Sequence, residues 1–248
     1  MLDSARQDKI LSYLKNNVSA TVKELAAALY VSDATIRRDL TEMQSLGLLK
    51  RSHGGAVLLE PADEISIFVR MTKNAKEKEL AATNALKYIP TDFKTVFFDS
   101  SSTILALAQR MNLSDKTVMT NNLQTAMQLS RVKNINLLIP GGVIATAGAS
   151  ITGSWTNTLL SEFRFDLMLS SCAALDPQNA YETSIDQREV KRTAFEHSSR
   201  RILIADHTKF PRRETYVFQS LSAFDQIIFD TLTEKERDSL RGLPVFCE

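Results

Sequence analysis

Two pairs of basic residues near the start of the chain have the chemistry to bind nucleic acid. Arg37 and Arg38 are adjacent, and Lys50 and Arg51 stand shortly before a Gly-Gly sequence. A guanidinium group can hold guanine through two parallel hydrogen bonds, and both arginine and lysine bind phosphate. Nearby hydroxyl groups can bond phosphate or a base edge. The residues predicted to contact duplex DNA are Ser32, Thr35, Arg37, Arg38, Lys50, Arg51, His53 and Gly54.

A second set of polar residues follows apolar runs in the remainder of the chain. A stretch of hydroxyl-bearing residues begins after Asp99, while Asp206 and Lys209 follow a later run. Hydroxyls and free N–H groups at the start of a helix bind phosphate, lysine neutralises its charge, and carboxylates bind sugar hydroxyls. This set therefore suits a phosphorylated sugar or polyol. Its members are Asp99, Ser100, Ser101, Ser102, Thr103, Thr120, Asn121, Gly141, Gly142, Lys191, Asp206 and Lys209.

The basic pairs need a scaffold that turns them outward, and residues 1–58 predict a winged helix-turn-helix. Ile36, Leu40 and Met43 recur at helical spacing and form one buried face, so Arg37 and Arg38 face outward. This third helix starts after the serine at position 32 and stops at the glycine at position 47. Two earlier helices are predicted, over 4–16 and after a capping box at 21–24. Strands at 48–51 and 56–59 form the wing.

The second set of polar residues needs a sheet whose strand ends share one edge. After a linker at 59–74, residues 75–248 alternate helical patterns with apolar runs at 95–98, 117–119, 135–139, 167–169, 201–205 and 226–229. This alternation predicts a mainly parallel α/β sheet covered by helices on both faces. Ligands of such sheets bind beyond the carboxyl ends of the strands, which is where most of the candidate residues fall.

The composition limits the other functions open to the chain. The 248 residues carry a net charge of +1, and the first 60 hold eight Lys/Arg against seven Asp/Glu, again +1. Any DNA contact must therefore come from local clusters and from more than one copy, which predicts a homo-oligomer. Cys172 and Cys247 give neither a disulfide framework nor a zinc spacing, so no metal or cofactor is expected. Without a signal peptide or a membrane-spanning run, a cytoplasmic protein is expected.

The motifs in both halves resemble those of the DeoR family of bacterial transcription regulators. The matching segments are VSDATIRRDL at 31–40, GLLKRSHGGAV at 47–57, FFDSSST at 97–103, TNN at 120–122, PGG at 140–142, VKR at 190–192 and ADHTKF at 205–210. The resemblance spans essentially the whole chain. It implies a winged helix-turn-helix joined to a sensor domain similar to sugar-phosphate isomerases. It also implies an oligomeric repressor of a sugar-utilisation operon that a phosphorylated sugar releases from DNA.

Three positions in the second half depart from the family pattern. Ser101 stands where the family usually has glycine, Gln187 where it usually has glutamate, and 170–174 where a glycine-rich loop is usual. These changes leave open a different phosphosugar, weaker binding, or a sensor that no longer responds. An isomerase with a DNA-binding head is the alternative, with Asp99, Asp206 and Lys209 as base and cation. Gln187 argues against it, and we expect no enzyme activity.

Overall fold

The structure, a computed structural model, describes residues 2–17, 19–45, 48–52, 54–57, 67–145 and 148–247. The chain forms two compact units, which meet in sequence between Val69 and Arg70. The glycine at position 47 and His53, both assigned roles from the sequence, lie outside the described residues. None of the helices in the described ranges is long and apolar enough to cross a bilayer.

The first unit contains three helices and a small antiparallel sheet. Its elements are α1 (Leu2–Asn17), β1 (Ser19–Thr21), α2 (Val22–Leu29), α3 (Asp33–Ser45), β2 (Lys50–Ser52) and β3 (Gly55–Val57). Leu14 from α1, Leu25 from α2 and Ile36 from α3 are fully buried in one shared core. The predicted helix-turn-helix is therefore present, and its first helix begins two residues earlier than expected.

Local hydrogen bonds begin the helices of this unit where the sequence predicts. Thr21 and Glu24 form a reciprocal capping box at the start of α2. The Ser32 hydroxyl accepts a hydrogen bond from the Thr35 N–H, at 3.2 Å, at the start of α3. Tyr30 ends α2 with a left-handed backbone, at a φ of 56°.

The wing has a third strand that the sequence does not predict. β3 lies between β1 and β2 and pairs antiparallel with both. A Cβ atom at Gly55 would lie only 2.1 Å from the Ala20 carbonyl oxygen, so the close approach of β1 and β3 requires glycine there. β1 has only three residues and lacks an apolar run, which is why its pairing is invisible in the sequence.

The second unit contains a parallel sheet with helices, and two small antiparallel sheets. Its elements, with the helix that crosses the unit boundary, are α4 (Ile67–Thr72), α5 (Ala75–Ala85), β4 (Thr95–Phe98), α6 (Ser102–Ala108), β5 (Thr117–Thr120), α7 (Leu123–Leu129), β6 (Asn136–Leu138), β7 (Val143–Ala145), β8 (Ser150–Thr152), α8 (Ser154–Ser161), β9 (Phe165–Ser170), β10 (Ala174–Leu175), β11 (Asn179–Glu182), α9 (Ile185–Glu196), β12 (Ser198–Ala205), β13 (Tyr216–Ser220), β14 (Gln226–Phe229), α10 (Glu234–Ser239) and β15 (Val245–Phe246).

Seven strands form the main sheet in the order β15-β14-β12-β9-β4-β5-β6, and every neighbouring pair is parallel. Both faces are covered, because alternate residues of one strand enter different cores. Phe97 of β4 belongs to one hydrophobic cluster, whereas Val96 and Phe98 belong to the other. The mainly parallel, doubly covered sheet that the apolar runs predict is confirmed.

The described end of the predicted linker is helical. Residues 59–74 lack a clear period, yet 67–72 form α4, and Asn74 precedes α5 with a left-handed backbone at a φ of 53°. A six-residue helix is too short to show a reliable apolar repeat, which is why the sequence does not reveal it.

Candidate functional site

The outward face of α3 carries the two candidate arginines. Arg37 and Arg38 are exposed, while Ile36 and Leu40 on the opposite face are fully buried. A buried stripe at this spacing fixes which face of α3 points away from the core, and both arginines lie on that exposed face. The predicted orientation of this helix is confirmed.

The wing is tied to the same helix. The Thr41 hydroxyl donates to the Arg37 carbonyl oxygen at 2.8 Å, and Arg51 Nη1 donates to the Thr41 hydroxyl oxygen at 2.9 Å. Arg51 of β2 is thereby held beside α3. Lys50 on β2 and Gly54 in the turn, whose φ is 84°, are exposed.

The hydroxyls of Ser32 and Thr35 lie 2.9 Å apart at the start of α3. Ser32 also caps the helix, so the capping role and the predicted DNA contact fall on the same exposed group. The described DNA candidates thus lie on one helix and its adjoining wing. Their contact with DNA stays a prediction.

A buried ion pair connects α1 to α3, and the sequence does not reveal it. Arg6 Nε and Nη2 donate to the two carboxylate oxygens of Asp39, at 2.5 and 2.9 Å. The Asp39 side chain is 1% exposed. The two residues are distant in sequence and belong to different helices, so no periodic signal joins them.

In the second unit, Asp99 is the centre of a buried polar network at the end of β4. Its Oδ1 accepts from the Ser101 N–H at 2.9 Å. Its Oδ2 accepts from the Ser170 hydroxyl at 2.8 Å and from the Ser171 N–H at 2.9 Å, and it pairs with Lys191 Nζ at 2.9 Å. Burial acts to raise the pKa of Asp99, but the Lys191 ammonium and the donated hydrogen bonds hold that pKa below its usual value.

Lys191 is committed to the same network. Its Nζ donates to the Ser171 carbonyl oxygen at 2.7 Å and also bonds the Glu182 carboxylate. Burial acts to lower the pKa of Lys191, yet the Asp99 and Glu182 carboxylates raise it overall. The ammonium has three N–H groups, and three protein partners occupy them. Lys191 therefore pairs with two buried carboxylates, those of Asp99 and Glu182, and the network positions the neighbouring loops. Direct contact with an effector stays a prediction for Asp99 and Lys191.

Lys209 lies close to candidate groups that follow other strands. Its Nζ is 2.7 Å from the Ser171 hydroxyl oxygen, 3.3 Å from that of Thr103 and 3.7 Å from Asp206 Oδ2. Asp206 is fully buried, and its Oδ2 receives no hydrogen bond from the part of the chain that the structure describes. Four groups from the ends of β4, β9 and β12 thus meet at one sheet edge. We name this set, Thr103, Ser171, Asp206 and Lys209, the strand-end cleft.

The other candidate hydroxyls beside β4 have protein partners. Ser100 Oγ donates to Gln187 Oε1 at 2.7 Å, and Gln187 Nε2 in turn bonds the Ser150 hydroxyl. Ser101 Oγ accepts from the Ile104 N–H at 3.2 Å and caps α6. Ser102 is buried in the first turn of α6. The serine loop is therefore at least partly a helix cap, which is the simpler of its two interpretations.

The loop after β5 is also internally bonded. The Thr120 hydroxyl oxygen accepts from the Asn122 N–H at 3.1 Å. Asn121 Nδ2 donates to the Ile151 carbonyl oxygen at 3.2 Å, while its buried Oδ1 has no hydrogen-bond donor among the described residues. Asn122 Nδ2 reaches the Ser100 carbonyl oxygen at 3.2 Å. This loop supports the serine loop from the neighbouring strand.

Gly141 and Gly142 pack against the start of α8. The Thr156 hydroxyl donates to the Gly141 carbonyl oxygen at 2.8 Å. A Cβ atom at Gly142, where φ is 154°, would lie 2.2 Å from the Thr156 hydroxyl oxygen and 2.5 Å from the Thr152 carbonyl oxygen. The close approach that glycine permits here is thus made by the protein's own atoms, and approach of a ligand stays a prediction.

Two basic residues outside the predicted set bond the loops and helices of this region. Arg70 donates to the Ser100 carbonyl oxygen at 3.4 Å and to the Gly148 carbonyl oxygen at 3.3 Å. Lys78, which is 7% exposed, bonds the Arg70 and Lys73 carbonyl oxygens. Arg70 and Lys78 lie on different short helices and share no period. Only the basic character of the segment could have suggested them.

Within the described ranges, no group of three or more His, Cys, Asp or Glu residues is placed to hold a metal ion.

Cys172 is buried beside the strand-end cleft, and burial raises the pKa of its thiol to about 12. It therefore stays protonated at neutral pH and is no nucleophile.

The first unit has the fold of DNA-binding regulators, and the second that of small-molecule sensors with a parallel sheet. Residues 6–62 match the DeoR-like helix-turn-helix domain, and residues 73–231 match the DeoR C terminal sensor domain. The chain is 32% identical to the HTH-type transcriptional regulator GolR of Listeria innocua, over 99% of this chain and 98% of that protein. It is 30% identical to the glycerol-3-phosphate regulon repressor of Escherichia coli, over 93% and 92%. The chain therefore belongs to the DeoR family of HTH-type transcriptional regulators.

The sheet of the second unit has a distant likeness among solved enzymes. Ribose 5 phosphate isomerase A from Neisseria gonorrhoeae is similar with a TM-score of 0.38 and 15% identity, over 55% of this chain and 53% of that one.

Proposed function

We propose that this chain represses a sugar-utilisation operon, and that a phosphorylated sugar or polyol modulates its hold on operator DNA. A relative supports this, since the similar protein of Escherichia coli is a glycerol-3-phosphate regulon repressor. The observation that carries the proposal is the pairing of two sites on one chain. One is the exposed Arg37/Arg38 face of α3, and the other is Lys209 among hydroxyl groups.

On the DNA side, α3 enters the major groove. One of Arg37 and Arg38 binds the edge of a guanine base, and the other binds a phosphate group. The wing residues Lys50 and Arg51 bind the DNA backbone beside the groove. The bond between Arg51 and Thr41 sets the wing against α3. Because the first 60 residues are nearly neutral, one copy binds DNA weakly. A homo-oligomer supplies the remaining affinity, because it places the α3 helices of two copies on the two half-sites of the operator.

On the effector side, the strand-end cleft holds the ligand. The Lys209 ammonium with the hydroxyls of Thr103 and Ser171 binds a phosphate group. Asp206 Oδ2, buried and without a hydrogen-bond donor in the described part of the chain, accepts from a sugar hydroxyl. Asp99 and Lys191 keep the surrounding loops in place.

The domain boundaries follow from these roles. Residues 1–58 are the DNA-binding domain, 59–74 the connection that includes α4, and 75–248 the effector-sensing domain. Operator DNA and phosphorylated sugars meet in the cytoplasm, which is where we place the protein. Effector binding changes operator affinity by about 5–150-fold, equivalent to a coupling of ~1–3 kcal/mol.

An isomerase is the rival function, and the polar contacts favour it less. Isomerisation needs a free carboxylate base beside the substrate carbon. Both oxygens of Asp99 already accept hydrogen bonds, and the nearby Gln187 carries no charge. Asp206 is the remaining acid. We infer that the chain is not an enzyme, and turnover of ribose 5-phosphate by the purified protein would contradict this.

The test is operator binding by the full chain. Selection from random duplexes yields a bound sequence, and fluorescence anisotropy then measures its affinity with and without glycerol 3-phosphate and a panel of sugar phosphates. At least one phosphorylated compound should weaken binding by the stated factor, while its unphosphorylated counterpart has no effect. An affinity that no panel member changes would refute the effector control but not the DNA binding.

A further inference from the structure

An uncharged segment lies near the middle of the second unit. Residues 134–161 contain no Asp, Glu, Lys, Arg or His, although Asp, Glu, Lys and Arg make up 24% of the whole chain. The segment includes β6, the hairpin of β7 and β8, and α8. Charged side chains normally lie on the protein surface, so their absence is typical of a segment that is buried. Several apolar side chains of this segment are exposed instead.

Four of these exposed side chains lie on the hairpin and on the helix that follows it. Trp155 is 78% exposed and Val143 is 69% exposed, and Ile144 and Leu159 are exposed as well. Trp155 and Leu159 stand one turn apart on the same face of α8. Leu160 lies on a different face of that helix and is fully buried. The core therefore takes up one face of α8 and leaves the face with the tryptophan open.

The hairpin and the helix adjoin each other. Val143 of β7 pairs with Thr152 of β8, shortly before α8 begins. The Cγ2 atom of Val143 lies 3.7 Å from the position of a Cβ atom at Gly153, the residue that precedes α8. The exposed residues of both elements therefore belong to one surface. We name Val143, Ile144, Trp155 and Leu159 the apolar patch.

The strand in the apolar patch also has an unused edge. β7 pairs with β8 on one side, and no other strand of the described residues pairs with its second side. Edge strands of monomeric proteins usually carry a lysine or a proline that prevents pairing with another chain. Val143, Ile144 and Ala145 of β7 include neither. This edge is therefore open to another polypeptide.

The apolar patch has the composition of the centre of a protein interface. Such centres are poor in charged residues and rich in aromatic ones. With 78% of its surface exposed, Trp155 alone offers about 150–200 Å². That is roughly a fifth to a quarter of the ~800 Å² that each partner contributes to a stable interface. Tryptophan is also among the residues that most often dominate binding energy.

The absence of charge favours a second copy of this chain as the partner. In a two-fold dimer each copy presents the same surface to the other, so like charges would oppose each other. Two uncharged patches meet without that repulsion. A membrane-binding surface would instead be expected to carry Lys or Arg around its apolar residues, and residues 134–161 have neither.

We propose that two copies of this chain associate through the apolar patch, with Trp155 buried between them. This inference rests on the proposed function, in which the nearly neutral DNA-binding unit needs a second copy to hold its operator. The contact supplies that second copy from a surface of the second unit. The strand-end cleft and the Arg37/Arg38 face of α3 are not part of it.

The first experiment measures association of the full chain by analytical ultracentrifugation. The wild type should sediment as a dimer or a larger assembly. Trp155→Glu should yield smaller species, with a dissociation constant raised at least about 30-fold. An acidic residue suits the first turn of α8, so the fold should be retained. Leu80→Glu is the matched control, because Leu80 is exposed on α5 outside the patch, and it should sediment like the wild type. Unchanged association of Trp155→Glu would overturn the proposal.

The second experiment observes the interface itself. Trp155 is the single tryptophan of the chain, so its fluorescence reports on the patch alone. Acrylamide should quench this fluorescence several-fold less in the wild type than in Val143→Lys, which places a charge on the edge strand and keeps the tryptophan. Leu80→Glu should again match the wild type.

The combined results separate this inference from the proposed function. If the chain forms an assembly but Trp155 is quenched as readily as in Val143→Lys, the copies meet elsewhere, so this inference fails and the proposed function stands. Protection of Trp155 in a monomer would show that the same chain covers the patch, which also overturns the inference. A chain that stays monomeric and still binds its operator would refute this inference together with the predicted homo-oligomer, but not the DNA binding.

Discussion

Arg6 donates a hydrogen bond to each carboxylate oxygen of Asp39, and this pair joins α1 of the DNA-binding unit to α3. The joined helix is the one that presents Arg37 and Arg38. The orientation of the reading surface therefore depends on a bond formed on the opposite, buried side of α3.

Asp39→Asn should destabilise the first unit by about 3 kcal/mol, since it removes the buried carboxylate charge to which the largely buried Arg6 guanidinium donates two hydrogen bonds. Urea denaturation of the full chain, followed by a probe in the first unit, measures the loss. Asp33→Asn on the exposed first turn of the same helix is the control, with an expected loss below about 1 kcal/mol. Equal losses for the two variants would show that the ion pair adds nothing.

Arg37→Ala and Arg38→Ala should have different effects on DNA binding. Loss of a guanine contact removes about 1–3 kcal/mol of discrimination at one base pair. Loss of a phosphate contact weakens binding to all sequences and lowers the salt slope by about one. Anisotropy titrations with operator and scrambled duplexes at several salt concentrations separate these cases. Lys9→Ala, an exposed change on α1, is the control. If neither arginine variant alters discrimination, α3 does not read the groove.

Lys191→Met should destabilise the second unit by about 3–5 kcal/mol, because the buried carboxylates of Asp99 and Glu182 would both lose the cation that pairs with them. Adding Asp99→Asn should recover part of that loss. Arg192→Met is the control on the same helix, since Arg192 is 40% exposed and should change stability by under about 0.5 kcal/mol. Thermal denaturation compares the variants. A double variant no better than the single one would mean that the pair carries no coupled charge.

The same pair predicts little pH dependence near neutrality. Because the folded pKa of Asp99 lies below 3.8, its contribution is fully present above that pH and is lost as the pH falls through the folded value. Because the folded pKa of Lys191 lies above 10.5, its contribution is present below that pH and is lost only as the pH rises through the folded value. The pair therefore adds no pH dependence to wild-type stability between about pH 5 and pH 9. Lys191→Met removes the cation that opposes the effect of burial, so the pKa of Asp99 should rise in the variant and its loss of stability, measured by urea, should be smaller at pH 5 than at pH 8. An equal loss at both pH values would contradict the pairing.

Gln187→Glu restores the residue that the family pattern favours and tests why this chain lacks it. The new carboxyl would be buried beside Ser100, where burial penalises its charged form. The folded state would then hold a proton that the unfolded state releases, so the variant should lose more stability at pH 8 than at pH 5, by about 1–3 kcal/mol. Gln178→Glu, an exposed change, is the control. Equal losses at both pH values would show that the carboxyl stays charged at a compatible site.

Much of the fold could be predicted because its signals are local. Capping at Thr21 and Ser32, the buried stripe through Ile36 and the six apolar runs each depend on neighbouring residues, and the corresponding elements are present. β1, β15 and α4 were missed because they are short, and their places depend on partners distant in sequence.

The site was predicted less completely, for a different reason. The sequence placed Thr103, Asp206 and Lys209 at one edge, and the structure brings them together. The sequence could not show that Lys191 forms an ion pair with Asp99. Pairing between side chains depends on their distance in the folded chain, which the periodicity of the sequence does not reveal. For the same reason Lys78 gave no signal.

The strand order of the parallel sheet bears on how the protein is made. β4, β5 and β6 are neighbours in both sequence and space, so they can pair with one another during synthesis of the chain. β9, by contrast, must dock between β4 and β12, which leaves the backbone of β4 open along one side until the later strands emerge. Two unfinished chains can pair along that edge, and it closes when β9 pairs with β4.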